Sequence, residues 1–365
     1  MALTYLNGGR IQGSDSVAGS ITGYKELARA SVNSGTSTTL TTPTFTPKDN
    51  IMIVYTAWGD GEPRMRVGSS GTLDTQSNYA QRWNENNSNG DNSSPTTSSD
   101  RWQVNSGAGP SSDGNEGVFG IMEGVNITGF EKLFYHESVD NCAGTGTASA
   151  KIGRYNRAMK WANTSARINV VSLYCASGSF SAGTEIVVLG FDNDESGTST
   201  TDFWKLITTA SYDSSNPDIL DTGVNNDLKK KYLMIRWFTM PTSGNTDDIY
   251  INYNGDANSN YSYSRQGGNS TMENFSATNK PRIDAGNGAY QRDGFGFLIN
   301  IQGKEKLLTS QDIIQDGGAG SNQKPRDFEV ITKWTGSSQI NRISLTNQGS
   351  GNYKSNSYFE VWGSD

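Results

Sequence analysis

The chain repeats itself once, and that repeat limits its possible folds more than any other feature. Asn50-Ile51-Met52-Ile53-Val54-Tyr55 matches Tyr232-Leu233-Met234-Ile235-Arg236-Trp237, with Met52 on Met234. At the same offset Ser77-Asn78-Tyr79 falls on Ser259-Asn260-Tyr261, and further on Phe119-Gly120-Ile121 resembles Phe295-Gly296-Phe297. Glu131-Lys132-Leu133-Phe134 is followed by Lys160-Trp161 and Ile168-Asn169; Glu305-Lys306-Leu307-Leu308 is followed by Lys333-Trp334 and Ile340-Asn341. Finally, Glu185-Ile186-Val187-Val188-Leu189-Gly190 resembles Tyr358-Phe359-Glu360-Val361-Trp362-Gly363. Matches in one order along the chain indicate a tandem duplication. Each copy is too long for a solenoid unit, so the expectation is two whole domains, 24–192 and 203–365, joined by a polar linker at 193–202. Residues 1–23 have no counterpart in the second copy. They read as an extended arm docking on a neighbouring subunit, with Tyr5, Leu6, Arg10 and Ile11 as contact residues.

Within each copy the pattern is that of strands. Ile51 to Ala57, Ile168 to Tyr174, Leu233 to Phe238, Ile249 to Tyr253 and Tyr358 to Trp362 are rich in β-branched and aromatic residues. Asn89-Gly90, Asn254-Gly255 and Asn287-Gly288 read as hairpin-type turns, and Gly68-Ser69-Ser70-Gly71 as turn chemistry. Glu131 to Phe134 and Ser310 to Ile314 are expected as one-turn helices, and Asn84 to Gly117 as an ordered surface loop holding Trp102. With 42 glycines and long runs of Ser, Thr and Asn, no extended helical period survives. The resulting expectation is an all-β fold of two tandem antiparallel β-sandwich domains, jelly-roll-like, behind the N-terminal arm.

Composition removes several functions. The net charge of −7 argues against a nucleic-acid partner, which needs clustered Lys and Arg; Lys229-Lys230-Lys231 reads as an exposed strand entrance. No run approaches 18 apolar residues, so no membrane span is expected. The N-terminus reads as no secretory signal, so the expectation is synthesis and retention in a cytoplasm until assembly or lysis, or a signal already removed. Cys142 and Cys175 form no metal-site spacing; two reduced thiols and one late-formed bridge both remain open.

The search for chemistry yields no enzyme. The single histidine, His136, reads as a half-exposed strand residue with no nucleophile placed beside it. Among acids such as Glu116, Glu123 and Asp293, nothing singles out a hydrolytic pair. Asp192, Asp194, Asp247 and Asp248 gather hard oxygens and are candidate calcium ligands without EF-hand spacing; no other cofactor is implied. Trp83, Trp102, Tyr261 and Tyr263 lie near expected loops or strand ends and are candidate glycan-stacking residues, as Trp58 would be. Trp161, Trp237, Trp334 and Trp362 read as core.

Two segments carry a family resemblance. Tyr5-Leu6-Asn7-Gly8-Gly9-Arg10-Ile11-Gln12-Gly13 resembles the starts of virion proteins of marine tailed phages. Tyr250-Ile251-Asn252-Tyr253-Asn254-Gly255-Asp256, with Asn260-Tyr261-Ser262-Tyr263, is similar to strand-turn segments of phage appendage and decoration proteins. The resemblance implies a non-enzymatic role on a virion, as a capsid decoration or tail-appendage protein. Its partners would be other virion proteins and further copies of itself. A carbohydrate-binding adhesin meeting a host-surface glycan is the alternative, and a glycan hydrolase ranks third.

Overall fold

A computed structural model describes residues 23–87, 90–105, 117–140, 152–193, 202–215, 217–242, 248–267, 273–283, 290–314, 326–348 and 352–365. The arm residues Tyr5, Leu6, Arg10 and Ile11 lie outside them, as do Glu116, Cys142, Asp194 and Asp247. Two compact units emerge, one drawn from residues 1–145 and 153–205 and the other from 146–152 and 206–365.

The first unit holds β1 (Lys25–Ser31), β2 (Thr36–Ser37), β3 (Thr39–Thr41), β4 (Asn50–Trp58), β5 (Pro63–Ser69), β6 (Thr72–Leu73), β7 (Tyr79–Asn87) and β8 (Gly90–Ser99). It continues with β9 (Trp102–Gln103), β10 (Gly117–Val125), β11 (Lys132–Asp140), β12 (Gly153–Trp161), β13 (Val170–Cys175), β14 (Phe180–Ser181) and β15 (Glu185–Phe191). Eight strands form one sheet in the order β1-β15-β4-β10-β11-β12-β7-β8, and β3-β13-β5-β6 form the opposing one. The second unit holds β16 (Lys205–Ser211), β17 (Ile219–Asp221), β18 (Tyr232–Thr239), β19 (Ile249–Tyr253), β20 (Tyr261–Gly267) and β21 (Glu273–Thr278). To these it adds β22 (Arg292–Ile299), β23 (Lys306–Ile314), β24 (Arg326–Trp334), β25 (Ile343–Asn347) and β26 (Tyr358–Ser364). Its large sheet runs β16-β26-β18-β22-β23-β24-β20-β21, the first unit's order strand for strand, and its small sheet runs β17-β25-β19, which corresponds to β3-β13-β5. The protein is all-β, two tandem antiparallel sandwiches of jelly-roll-like form.

β4 explains the architecture locally. Its sequence NIMIVYTAW is buried at every position but the first, because the strand is paired on both edges and covered on both faces. Ile51 and Ile53 meet Met65, Val67, Val171 and Leu173 of the opposing sheet; Leu233 and Ile235 meet Ile249, Ile251, Ile343 and Leu345 in the second unit. Each such side chain contributes about 1.5–3 kcal/mol of burial free energy. Ser70 and Gly71 both take positive φ in the two-residue turn joining β5 to β6, the type I′ geometry that matches strand twist.

Three local expectations are corrected. Glu131 to Phe134 and Ser310 to Ile314 are not helical turns; most of their residues lie in β11 and β23. Ladder bonds on both edges of those strands outweigh the local preference of a few residues that could not nucleate a helix alone. The stretch from Asn84 is no surface loop, since residues 84–87 and 90–99 pair as a hairpin of β7 and β8. Asn254-Gly255 does have both φ angles positive, yet it turns the chain from β19 into the other sheet and closes no hairpin.

Beyond the matching strand order, four polar locks recur in both units. Asp74 accepts from Trp161 Nε1 (2.8 Å), Asn78 Nδ2 (2.8 Å) and Gln76 N (2.9 Å). Asp256 accepts from Trp334 Nε1 (2.7 Å), Asn260 Nδ2 (2.9 Å) and Asn258 N (3.0 Å). The Tyr79 hydroxyl donates to Val67 O and accepts from Val67 N, as that of Tyr261 does with Tyr253. Lys132 donates to Phe130 O and Asn163 O across from Trp161; Lys306 donates to Lys304 O and Gly336 O beside Trp334. Buried Asn126 clamps Ile168 from both sides of its amide, and Asn300 does the same to Ile340. These bonds satisfy groups that burial would otherwise leave unpaired, at about 1–3 kcal/mol each.

Candidate functional site

The two large sheets share a register, so their interiors can be compared row by row. One row of the first sheet reads Ile53, Met122, His136, Arg157, Trp83, Ser94 across β4, β10, β11, β12, β7 and β8. The same row of the second reads Ile235, Gly296, Ser310, Val330, Arg265 across β18, β22, β23, β24 and β20. The neighbouring row is Tyr55, Gly120, Ser138, Tyr155, Glu85 in the first unit, against Trp237, Gly294, Asp312, Phe328, Gly267 in the second. The first copy therefore places a titratable cluster where the second places Val330 and Phe328.

Arg157 stands at the centre of that cluster. Alternation along β12 puts it on the same inward face as Tyr155, Met159 and Trp161, and it is 1% exposed. None of its three guanidinium nitrogens has a hydrogen-bond partner among the described residues. Its guanidinium carbon sits 5.3 Å from the Tyr155 ring centroid. Burial pushes its pKa down to about 10, against the opposing pull of Tyr55, Glu85 and Tyr155. Half-buried Arg64 adds a second guanidinium to this field, donating to Glu62 and leaving its own Nε without a partner.

His136, beside Arg157 in the ladder, is fully buried; the half-exposed position expected of it is corrected. Its Nε2 hydrogen-bonds the Tyr55 hydroxyl at 2.8 Å, and that hydroxyl lies 3.3 Å from Val104 O. The ring's Nδ1 has no partner among the described residues. Burial, and then the Arg157 charge, hold the imidazole pKa well below its ordinary value, so the ring is neutral.

The remaining sequence-predicted residues scatter. Of the glycan candidates only Trp83 is half-buried and in the cluster's row. Trp102 is fully buried, its indole donating to Lys160 O; Tyr261 is a lock; Tyr263 is 6% exposed and stacks on Phe275 at 4.5 Å. Trp58 is likewise buried. Trp161, Trp237, Trp334 and Trp362 are core, as expected. Glu123 accepts from the Tyr24 hydroxyl at 2.8 Å, and Asp293 lies 3.9 Å from Arg236.

Both described calcium candidates are engaged by cationic or backbone donors. Asp192 accepts from Lys48 Nζ (2.8 Å) and Asp49 N (3.0 Å), and Asp365 does the same for Lys230 and Lys231 at the end of the second copy. Burial raises the Asp192 pKa, but these donors outweigh it and hold the carboxyl below its usual range. Asp248 pairs with Arg282 and also feels Arg265 and Arg292, a field that repels a dication. No group of three metal-ligating side chains exists among the described residues. Cys175 is a free thiol whose pKa burial pushes up to about 12, so it is unreactive near neutrality.

Fold and cluster together define a tandem β-sandwich protein with a buried polar cluster around Arg157 and His136 inside its first copy. No family model matches the chain, and no curated protein does. Among solved structures, the LG1-3 region of the laminin alpha2 chain aligns over 92% of this chain and 64% of that one, at 8% identity and a TM-score of 0.19. The chain thus spans less than two thirds of that laminin structure. Domains LG4-5 of the mouse laminin alpha1 chain align over 98% and 93%, at 9% identity and a TM-score of 0.19. Neisserial surface protein A aligns over 81% and 96%, at 7% identity and 0.13. Superpositions this loose carry no argument about what the chain does.

Proposed function

We propose that the chain is a non-enzymatic structural component of a virus particle, a capsid decoration or tail-appendage protein assembled through its sheet faces and N-terminal arm. One observation carries this reading. The outward face around the β10–β11 turn leaves Phe130 68%, Leu133 62%, Val125 48% and Tyr135 48% exposed. Leu133 and Tyr135 alternate with inward Phe134 and His136, so the sandwich interior has no use for them. A cluster of exposed large apolar side chains on a soluble protein marks a contact surface. Neighbouring subunits of a particle are the partners this reading assigns to it. Mass spectrometry of purified particles of the virus encoding the chain should detect it, and Leu133→Glu with Phe130→Glu should lower its incorporation at unchanged melting temperature. Absence of the chain from the particles overturns the reading.

A second reading, a glycan-binding adhesin, is favoured by the half-buried Trp83 beside the Arg157 guanidinium. It is compatible with a place on a virion.

A further inference from the structure

We propose that the inner end of the first copy's large sheet is a binding site for a carboxylate-bearing sugar, with Arg157 gripping the carboxylate and Trp83 stacking on the ring. The inference is independent of the virion reading and deepens the glycan-binding one.

The argument begins from an apparent defect. A buried guanidinium with no hydrogen-bond partner is among the costliest arrangements a core can hold, and native proteins pair nearly all such groups. Arg157 leaves all three nitrogens unpaired, and His136 leaves Nδ1 unpaired next to it. Glu85 and the phenols of Tyr55 and Tyr155 act on Arg157 through space, and none of them bonds it. The fold does not require this charge. The second copy holds Val330 at the same register position, 1% exposed, inside the same sheet order. The second core keeps a buried guanidinium elsewhere, at Arg292, but at this post an unpaired charge stands where the duplicate has valine, and that points to something the group binds.

The donors select the ligand. Two parallel N–H groups of a guanidinium match the two oxygens of a carboxylate. The unpaired Nδ1 of neutral His136 suits a hydroxyl beside that carboxylate, since a hydroxyl both donates and accepts. Access comes from the sheet edge. Along the row, His136 and Arg157 are closed to solvent, whereas Trp83 and Ser94, one and two strands outward, are half-buried. A tryptophan at the mouth offers a flat face to a sugar ring while the charge waits one strand inside. In the second copy the corresponding places hold Arg265, paired with Glu273, and Gly267, over which Phe328 lies, so that copy is closed.

Isothermal titration of the full chain with glucuronate and with glucose tests this. Glucuronate is expected to bind at least tenfold more tightly than glucose. Arg157→Val should fold, as Val330 does in its place, and abolish that preference; Trp83→Ala should weaken binding of both sugars. Arg157→Lys, which keeps the charge but loses the fork, should reduce the preference by several-fold and serves if the valine variant fails to fold. Equal binding of the two sugars, no binding of glucuronate, or a preference that survives Arg157→Val or Arg157→Lys overturns the proposal. Detection of the chain in particles decides the virion reading whichever result is obtained.

Discussion

Replacing Asp74 by alanine should unfold the first unit more easily and leave the second untouched. The carboxylate takes three hydrogen bonds, and they differ in value. Trp161 is fully buried, so its indole N–H at 2.8 Å has no water to turn to once the acceptor is gone. Orphaning it costs about 1–3 kcal/mol. Gln76 N and Asn78 Nδ2 lie toward solvent and recover part of their bonding there, which adds about 1 kcal/mol between them. The sum, about 2–4 kcal/mol, corresponds to a fall of about 4–16 °C in melting temperature for a unit of this size. The carboxyl is itself held below its usual range, since the bonds from Asn78, Gln76 and Trp161 outweigh the opposing effect of burial. Its contribution is therefore complete above the ordinary carboxylate pKa and disappears as pH falls through the lower folded value. Calorimetry gives the size of the loss, and hydrogen exchange read by mass spectrometry gives its place. Amides of β7 and β12 should lose protection in Asp74→Ala, and those of β20 and β24 in Asp256→Ala. A loss under about 0.5 kcal/mol, within the range of ordinary surface substitutions, or exchange rising in the unmutated unit, would refute the claim that each sandwich is held by its own copy of the lock.

Two more outcomes follow from the same geometry. Burial lowers the Lys306 ammonium to about 8, against the opposing pull of Glu305, so between roughly pH 8 and pH 10 the unfolded chain binds more protons than the folded one and stability should rise with pH; thermal melts should show that slope in the wild type and lose it in Lys306→Met, and a flat wild-type profile contradicts the assignment. A Cβ on Gly120 would stand 2.4 Å from the Tyr55 ring, so Gly120→Ala should destabilise the first unit by about 1–3 kcal/mol in urea unfolding, and a neutral result would mean the Tyr55–His136 contact is looser than described.

The duplication was legible because its matched residues occupy structurally equivalent posts. Tyr79 and Tyr261, Lys132 and Lys306, and Trp161 and Trp334 are lock members in the two units, and those locks need the same side chains wherever the fold recurs. The pairing of Asp192 and Asp365 with lysines at the entrances of β4 and β18 was not legible, because nothing local to an acidic strand end reveals which distant backbone it will meet. The same non-locality hid Trp102, carried by a strand of only two residues that sequence pattern cannot distinguish from a loop. For Arg157 a signal was present. Tyr155, Met159 and Trp161 alternate in one strand, and that period of two assigns Arg157 to the apolar face. An arginine in phase with core residues is the pattern that would have found the cluster. Its neighbours His136 and Trp83 come from other strands and required the register.

The two copies act as each other's control. Where they agree, as at the Asp, Tyr, Lys and Asn locks, the shared residue is explained by a shared need of the sandwich. Where they differ at equal burial, stability alone cannot be the reason for both choices. Valine or phenylalanine in a closed interior requires nothing further, and Val330 and Phe328 fit the second core. A guanidinium in that position requires compensation from some partner, and replacing buried charge by apolar side chains often stabilises a protein by about 1–4 kcal/mol. Arg157→Leu, closer in volume than valine, should therefore raise the melting temperature of the first unit while removing any carboxylate affinity. Stability and binding moving in opposite directions on one substitution is the signature of a charge kept for its ligand; a fall of about 3 kcal/mol or more would instead show that Arg157 is paired within the fold, since breaking a buried pair costs that much.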